Sequence, residues 1–292
     1  MADLAATPPV TAPVARRRRS RFWRKVRRQP LGIAALVGIV LLALMVTVGP
    51  ELYPHSPSRT APLHTLKPPT TEHWLGTDEL GRDVFARILA GGRVSLAVGL
   101  VSMLVGLLIG SLAGAAAGYF GGLTESVIMR LVDVFMAIPA FFLILVIVTS
   151  FGNHPLMVIL TVGFSFWPQM ARPVYAEFKK FRQSEFVEAS QALGGGHLRV
   201  MLKHIFPQVL PQAIVLATLG VGWAILSEAG LSYLGLGIQP PLASWGNMLQ
   251  NAQAYLWLNP MLAIYPGVFI AVTVLLFNLL GNSLRDVLDP RG

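Results

Sequence analysis

Six apolar stretches, each about as long as a bilayer is thick, constrain this chain more than any other feature. They lie near Leu31–Val48, Val94–Tyr119, Val134–Phe151, Pro155–Tyr175, Val209–Gly230 and Met261–Leu280. A hydrocarbon core about 30 Å thick takes roughly 20 apolar residues per helix, so each stretch reads as a membrane span. Composition points the same way: 54% of the 292 residues are hydrophobic, 13% are charged and the mean hydropathy is +0.61, whereas soluble domains carry about 25% charged residues. The expected fold is an all-α membrane protein with six transmembrane helices set in lipid.

The net charge of +9 is placed for a membrane and not for nucleic acid. Nine basic residues (Arg16, Arg17, Arg18, Arg19, Arg21, Arg24, Lys25, Arg27 and Arg28) stand directly before the first span. Basic residues near span ends stay on the cytoplasmic side, which predicts an inside N-terminus. Six alternating spans then put 176–208 inside, with Lys179, Lys180, Arg182, Arg199 and Lys203, and leave 231–260 outside without Lys or Arg. Between Glu51 and Arg93, five basic residues on the outer side are balanced by Glu51, Glu72, Asp78, Glu79 and Asp83. Both termini are therefore expected in the cytoplasm. The first span reads as retained rather than as a signal peptide, because it exceeds the usual 7 to 15 apolar residues and no small-x-small site follows Val48.

The expected organisation is a basic tail (1–30), a first helix (31–48), an external segment (49–93), a five-helix core (94–284) holding an inside loop (176–208), and a short C-terminus (285–292). The first ~15 residues, rich in Ala, Pro and Thr, read as a disordered tail. In the external segment, Pro54 to Pro69 is extended. From Thr77 the pattern turns helical: Thr77 as cap, Asp78 and Glu79 in the first turn, and Leu80, Val84 and Ile88 on one face. This predicts an amphipathic helix on the outer interface. His73, Asp78 and Asp83 read either as a metal or catalytic cluster or as capping and ion-pairing groups for Arg82 and Arg87, and the helix-end signals favour the second.

Within the spans, Gly106, Gly110, Gly114 and Gly118 recur every fourth residue, a face suited to close helix packing. Pro139 and Pro168 remove backbone donors and predict kinks, which serve either gating or packing. Glu228 and Asn278 are the polar candidates for a translocation path. No charged relay occupies mid-membrane, which weighs against a self-sufficient secondary carrier. Leu234-Gly-Leu-Gly237 is the nearest approach to a channel filter. The chain has no cysteine, which excludes thiolate chemistry, and no Gly-x-x-x-x-Gly-Lys-Ser/Thr loop: Gly194-Gly-Gly196 is followed by His197 and reads as a turn. No catalytic, cofactor-binding or metal-ligating residue is assigned, so any ATP-derived energy must come from another chain.

The inside loop carries the clearest functional signal. Glu188-Ala-Ser, three residues, Gly194 and a hydrophobic exit at Pro207 resemble the "EAA" loop of ABC-importer permeases. Ser190 stands where that family usually has a second Ala, and His204 and Phe206 where it often has aliphatic residues. Leu75-Gly-Thr-Asp-x-x-Gly-Arg-Asp83, Met129-Arg-x-x-Asp133, Leu231-Ser-Tyr-Leu-Gly-Leu-Gly237, Ser244-Trp-Gly246, Asn278-Leu-Leu-Gly281, Leu284-Arg-Asp286 and Leu288-Asp-Pro-Arg291 are similar to the C-type subunit of oligopeptide, dipeptide and nickel permeases. The resemblance covers Leu75 to the C-terminus. It implies a type I importer permease fold in a bacterial cytoplasmic membrane, one N-terminal helix plus a five-helix core. It also implies a heterodimer with a B-type permease, two ATP-binding subunits at the loop, where ATP and magnesium would bind, and an external substrate-binding protein. Glu185 to Leu193 then reads as the coupling helix. Phe186, Ala189, Ser190 and Leu193 form its packing face, Glu188 sets charge register, Gly194 makes the terminating turn, and Leu198, Met201, Leu202 and Ile205 hold a second short helix against the spans. Peptides are the expected cargo and nickel or other metal chelates the alternative.

Overall fold

The computed structural model describes residues 25, 27–152 and 154–288. The expected disordered tail, most of the basic run and residues 289–292 lie outside the described residues. Among those described, the regular elements are helices, with one isolated antiparallel bridge between Thr77 and Asp83. In chain order they are α1 (Pro30–Leu52), a 3-10 turn (Pro62–His64), α2 (Val84–Phe120), α3 (Gly122–Ala137), α4 (Ala140–Phe151), α5 (Pro155–Arg182), α6 (Glu185–Ala192), α7 (His197–Arg199), a π-helical turn (Val200–Ile205), α8 (Phe206–Tyr233), α9 (Trp245–Ala252), a second 3-10 turn (Gln253–Tyr255) and α10 (Met261–Leu288).

Among the described residues, four rods are long and apolar enough to cross a membrane: α1, α2, the run His197–Tyr233 and α10. The pair α3 and α4, bent by 89° at its break, makes a fifth if counted as one span. The remaining expected span, the fourth in the sequence, is α5, whose 28 residues reach about 42 Å at 1.5 Å each. Gln169, Arg172, Glu177 and two lysines dilute its apolarity. Its polar Thr161 and Ser165 are buried inside the bundle, so composition understates how enclosed this helix is.

Two expectations are corrected by the structure. The third span is not a straight helix over 134–151. Pro139 caps α4 and Ile138 before it is extended, φ −94° and ψ 126°, because a proline disfavours the helical region at the preceding residue. The apolar run is thereby divided between two helices. The separate amphipathic helix from Thr77 does not form either. Asp83, not Thr77, is the N-cap, its carboxylate accepting from the Ala86 N–H at 2.7 Å, and the helix continues unbroken into the second span. Thr77 instead accepts from the Lys67 N–H at 2.9 Å and donates to the His64 carbonyl, tying the proline-rich segment to the turn before α2.

The four-residue glycine repeat does what its spacing predicts. A Cβ on Gly118 would stand 2.6 Å from the Tyr175 carbonyl oxygen, and one on Gly106 3.0 Å from that of Gly163. Gly163 answers from the other side, 2.6 Å from the Ser102 carbonyl. The α2 and α5 backbones thus touch over more than three turns, a seam that side chains would wedge open. Around it α8 packs on α2 and α10, α1 packs on α10 and α2, and α3 and α4 lie against α5. Leu31, Leu41 and Leu44 of α1 are more than half exposed, the outward apolar surface that lipid would cover.

Candidate functional site

Loops gather at the two ends of α2. At the Phe120 end, α6 is a two-turn helix whose Glu185 and Glu188 occupy the first turn, where the helix dipole favours acids. Ser184 at the N-cap turns its hydroxyl to the Phe181 carbonyl, so the two glutamates are the polar groups that favour this terminus. Glycine closes the other: Gly194 adopts φ +79°, and the Gly194 and Gly195 N–H groups donate back to the Gln191 and Ser190 carbonyls, both at 2.9 Å. This is the left-handed glycine termination expected from the sequence. Gly195 was not anticipated, yet a Cβ there would stand 2.6 Å from the Ser190 carbonyl oxygen.

Val187 anchors α6. It is fully buried in a cluster with Tyr119, Phe178, Val200, Ile205 and Val209, while Tyr119 and His197 share a 3.0 Å hydrogen bond beside it. The remaining side chains face outward. Phe186 is 41% and Leu193 89% exposed; Glu185, Glu188 and Ala189 are exposed and Ser190 is half-buried. Phe186, Ala189 and Leu193 fall at i, i+3 and i+7, one face of the helix. The second short helix is corrected. Leu198 and Leu202 are 75% and 61% exposed and Met201 only partly buried, so of the four residues expected to hold it Ile205 alone is fully enclosed, together with Val200. Pro207 stands at the start of α8, where the loop passes into the span, and helical structure runs on without a break from His197 to Tyr233. Two nearby pairs stitch the neighbouring helices, Lys179 with Glu125 at 2.7 Å and Arg172 with Asp133.

The Val84 end is built differently. Asp78 accepts from the Arg82 Nε at 2.7 Å and pairs with the Arg87 Nε at 3.3 Å, and all three residues are buried. Asp83 accepts from the Tyr53 hydroxyl at 3.0 Å and meets His73 Nδ1 at 2.8 Å. Burial and the Asp83 carboxylate push the Tyr53 phenol up to about 12, so it remains a donor. Trp245 is fully buried and donates its Nε1–H to the Ile88 carbonyl at 3.0 Å.

Of the translocation candidates, Glu228 is fully enclosed. It accepts from the Ser232 hydroxyl at 2.6 Å and the Ser95 hydroxyl at 3.3 Å. Those serines accept from the Ile238 and Trp245 backbone N–H groups, which places Glu228 at the root of the loop that carries α9 rather than on an open wall. Asn278 donates to the Val274 carbonyl one turn back at 2.8 Å. The expected kink at Pro139 is the 89° break, whereas α5 continues through both Pro168 and Pro173.

Residues 106–291 match the family described as binding-protein-dependent transport system inner membrane component, and residues 18–69 match the N-terminal transmembrane domain of oligopeptide transport permease C. The chain is 37% identical over 291 residues to the glutathione transport system permease protein GsiD of Escherichia coli O6:K15:H31, covering 99% of this chain and 96% of the relative. It is also 37% identical to GsiD of Shigella boydii serotype 4 over 92% of this chain and 89% of that one. Among solved structures, a chain of the MetNI methionine ABC transporter in an inward facing conformation superposes with a TM-score of 0.55 at 19% identity, over 69% of this chain and 96% of that one. A second crystal form gives 0.54 at 22% identity over 68% and 95%, a likeness of fold. The chain belongs to the binding-protein-dependent inner membrane components, as a multi-pass permease subunit of an ABC importer of the oligopeptide and dipeptide class, a transport subunit and not itself an enzyme.

Proposed function

We propose that the subunit imports peptides, most directly di- and oligopeptides including glutathione-like tripeptides, across a bacterial cytoplasmic membrane with both of its termini in the cytoplasm. A B-type permease completes the translocation path as a heterodimer, an external binding protein delivers cargo, and two ATP-binding subunits that hold ATP and magnesium dock on α6. The observation that carries this reading is the outward face of Phe186, Ala189 and Leu193 on a helix fixed through Val187. An apolar face flanked by Glu185 and Glu188 and anchored from behind fits a soluble partner that pushes on the bundle. Closure of the ATPases would supply the differential free energy that shifts the permease between outward and inward states. The peptide reading rests on the likeness to GsiD, and a nickel or other metal chelate is the second cargo to test.

Reconstitution tests the assignment. In liposomes the chain alone is expected neither to hydrolyse ATP nor to move peptide or nickel chelate. Addition of a B-type permease, the ATPase pair and a binding protein is expected to give ATP-dependent peptide uptake. Transport by the isolated chain on a proton or sodium gradient would revive a secondary carrier, and uptake of nickel chelate without peptide would reassign the cargo.

A further inference from the structure

Three imidazole-bearing residues, His55, His64 and His73, meet in the segment between α1 and α2. The His55 and His73 ring centroids are 4.9 Å apart and those of His64 and His73 6.2 Å. His55, His73 and Asp83 each offer a donor atom, and the three donors lie within 4.8 Å of one another. We propose that His55, His73 and Asp83 form a binding site for a divalent first-row transition cation of the zinc class.

The donor set is two nitrogens and one carboxylate oxygen, which suits zinc, nickel or copper and not the harder calcium or magnesium. A tetrahedral ion with ligands at about 2.0–2.2 Å holds its donors roughly 3.3–3.5 Å apart. His73 Nδ1 and Asp83 Oδ2 are already at 2.8 Å, and His55 closes the remainder by side-chain rotation. The surroundings are built to hold such a set. Asp83 is fixed at the N-cap of α2 by the Ala86 N–H and on its other oxygen by the Tyr53 hydroxyl. The Tyr53 ring packs 5.1 Å from that of His55, and the His73 backbone N–H donates to the Thr70 hydroxyl oxygen at 2.9 Å, fixing the turn that carries this residue. A carboxylate ligand oriented in advance by neighbouring groups is what metal sites use to raise affinity. Access is from solvent: the His73 side chain is 12% exposed and Asp83 2%, so the histidine side is the open one and a water completes the coordination. Bound there, the ion fastens the chain leaving α1, through His55, to the first residue before α2. It is a resident ion of the external segment and not cargo, and stands or falls independently of what the subunit transports.

The test uses the full-length chain, purified in detergent without a polyhistidine tag and stripped with chelator. Calorimetric titration with Zn²⁺ is expected to show one ion per chain and a raised unfolding temperature, since a ligand bound only to the folded state stabilises it; Ca²⁺ is expected to do neither. His55→Gln and His73→Asn, the latter keeping an amide N–H for Asp83, should each weaken Zn²⁺ binding at least tenfold, while His204→Gln leaves it unchanged. X-ray absorption of the Zn²⁺-loaded wild type, which needs no variant, should show imidazole scattering with a nitrogen and oxygen shell near 2.0–2.1 Å. Absence of a one-to-one site, undiminished binding in either His55→Gln or His73→Asn, or a shell without imidazole overturns the proposal.

Discussion

The two ends of the 37-residue helix α2 handle polar groups in opposite ways. At its Val84 end, Thr77, Asp78, Arg82, Asp83, Arg87, Ser244 and Asn247 are all at most 6% exposed and each is engaged by a neighbour on the chain. At its Phe120 end the charged groups of α6 face outward and so do its large apolar ones, Phe186 and Leu193, joined by Leu198 and Leu202 on the next turns. One end engages these polar groups within the subunit, and the other turns the charged and large apolar side chains of α6 outward. The glycine seam of α2 on α5 runs from Gly106 to Gly118, in the Phe120 half of the helix.

The largest expected effect lies at the enclosed end. Asp78→Ala leaves the buried Arg87 guanidinium without its carboxylate and Arg82 with Glu79 alone, which should cost about 3–5 kcal/mol and be visible as loss of folded chain in detergent, with no partner present. A stability unchanged in Asp78→Ala would mean that solvent reaches those arginines and would break the contrast between the ends. Next comes Val187→Ala. Removing two methyl groups from the pocket under α6 should cost about 1.6 kcal/mol at ~0.8 per methylene-sized group, read by chemical denaturation. Protease sensitivity confined to 183–206 should rise with it. Gly194→Ala should cost about 1–2 kcal/mol by forcing a side chain into the left-handed region. Space there is open, with nothing within 4 Å of the added Cβ, so the penalty is conformational and Gly194→Asn should recover part of it.

Much of this contrast was legible in the chain, unevenly so. Helix positions followed from apolar run length, and the close seam from the four-residue glycine spacing, because both are local patterns with a direct geometric meaning. The α6 turn was equally plain, since a glycine after a two-turn polar helix has few other uses. What escaped was whatever depended on tertiary partners. Thr77 looks like a cap, but its hydroxyl is taken by His64 and Lys67, and the helix starts seven residues later at Val84. Pro139 announced a kink and not a division of the span, because nothing local distinguishes a bend from an 89° break. Glu228 read as a path residue for its charge, whereas Ser95, distant in sequence, and Ser232, one turn on, both donate to it at the root of the loop it supports. Val187 gave no signal of being the anchor, as its neighbours Phe186 and Glu188 carry more conspicuous chemistry.

The smallest expected effect on the subunit itself is at the open end. Phe186→Ala combined with Leu193→Ala should change the stability of the isolated chain by no more than about 0.5 kcal/mol per site, as exposed substitutions usually do. A larger loss would mean that these side chains serve the bundle and not a partner.

The same double variant gives the most direct test of the central claim, that α6 offers an apolar docking face to the ATP-hydrolysing subunits. The measurement is the rate of ATP-dependent peptide uptake by proteoliposomes holding the assembled importer, with this chain either wild type or carrying Phe186→Ala and Leu193→Ala. Two exposed apolar anchors buried at an interface are each worth about 1 kcal/mol or more, so uptake should fall at least tenfold while the chain remains folded and inserted. Wild-type uptake by the double variant would contradict the account.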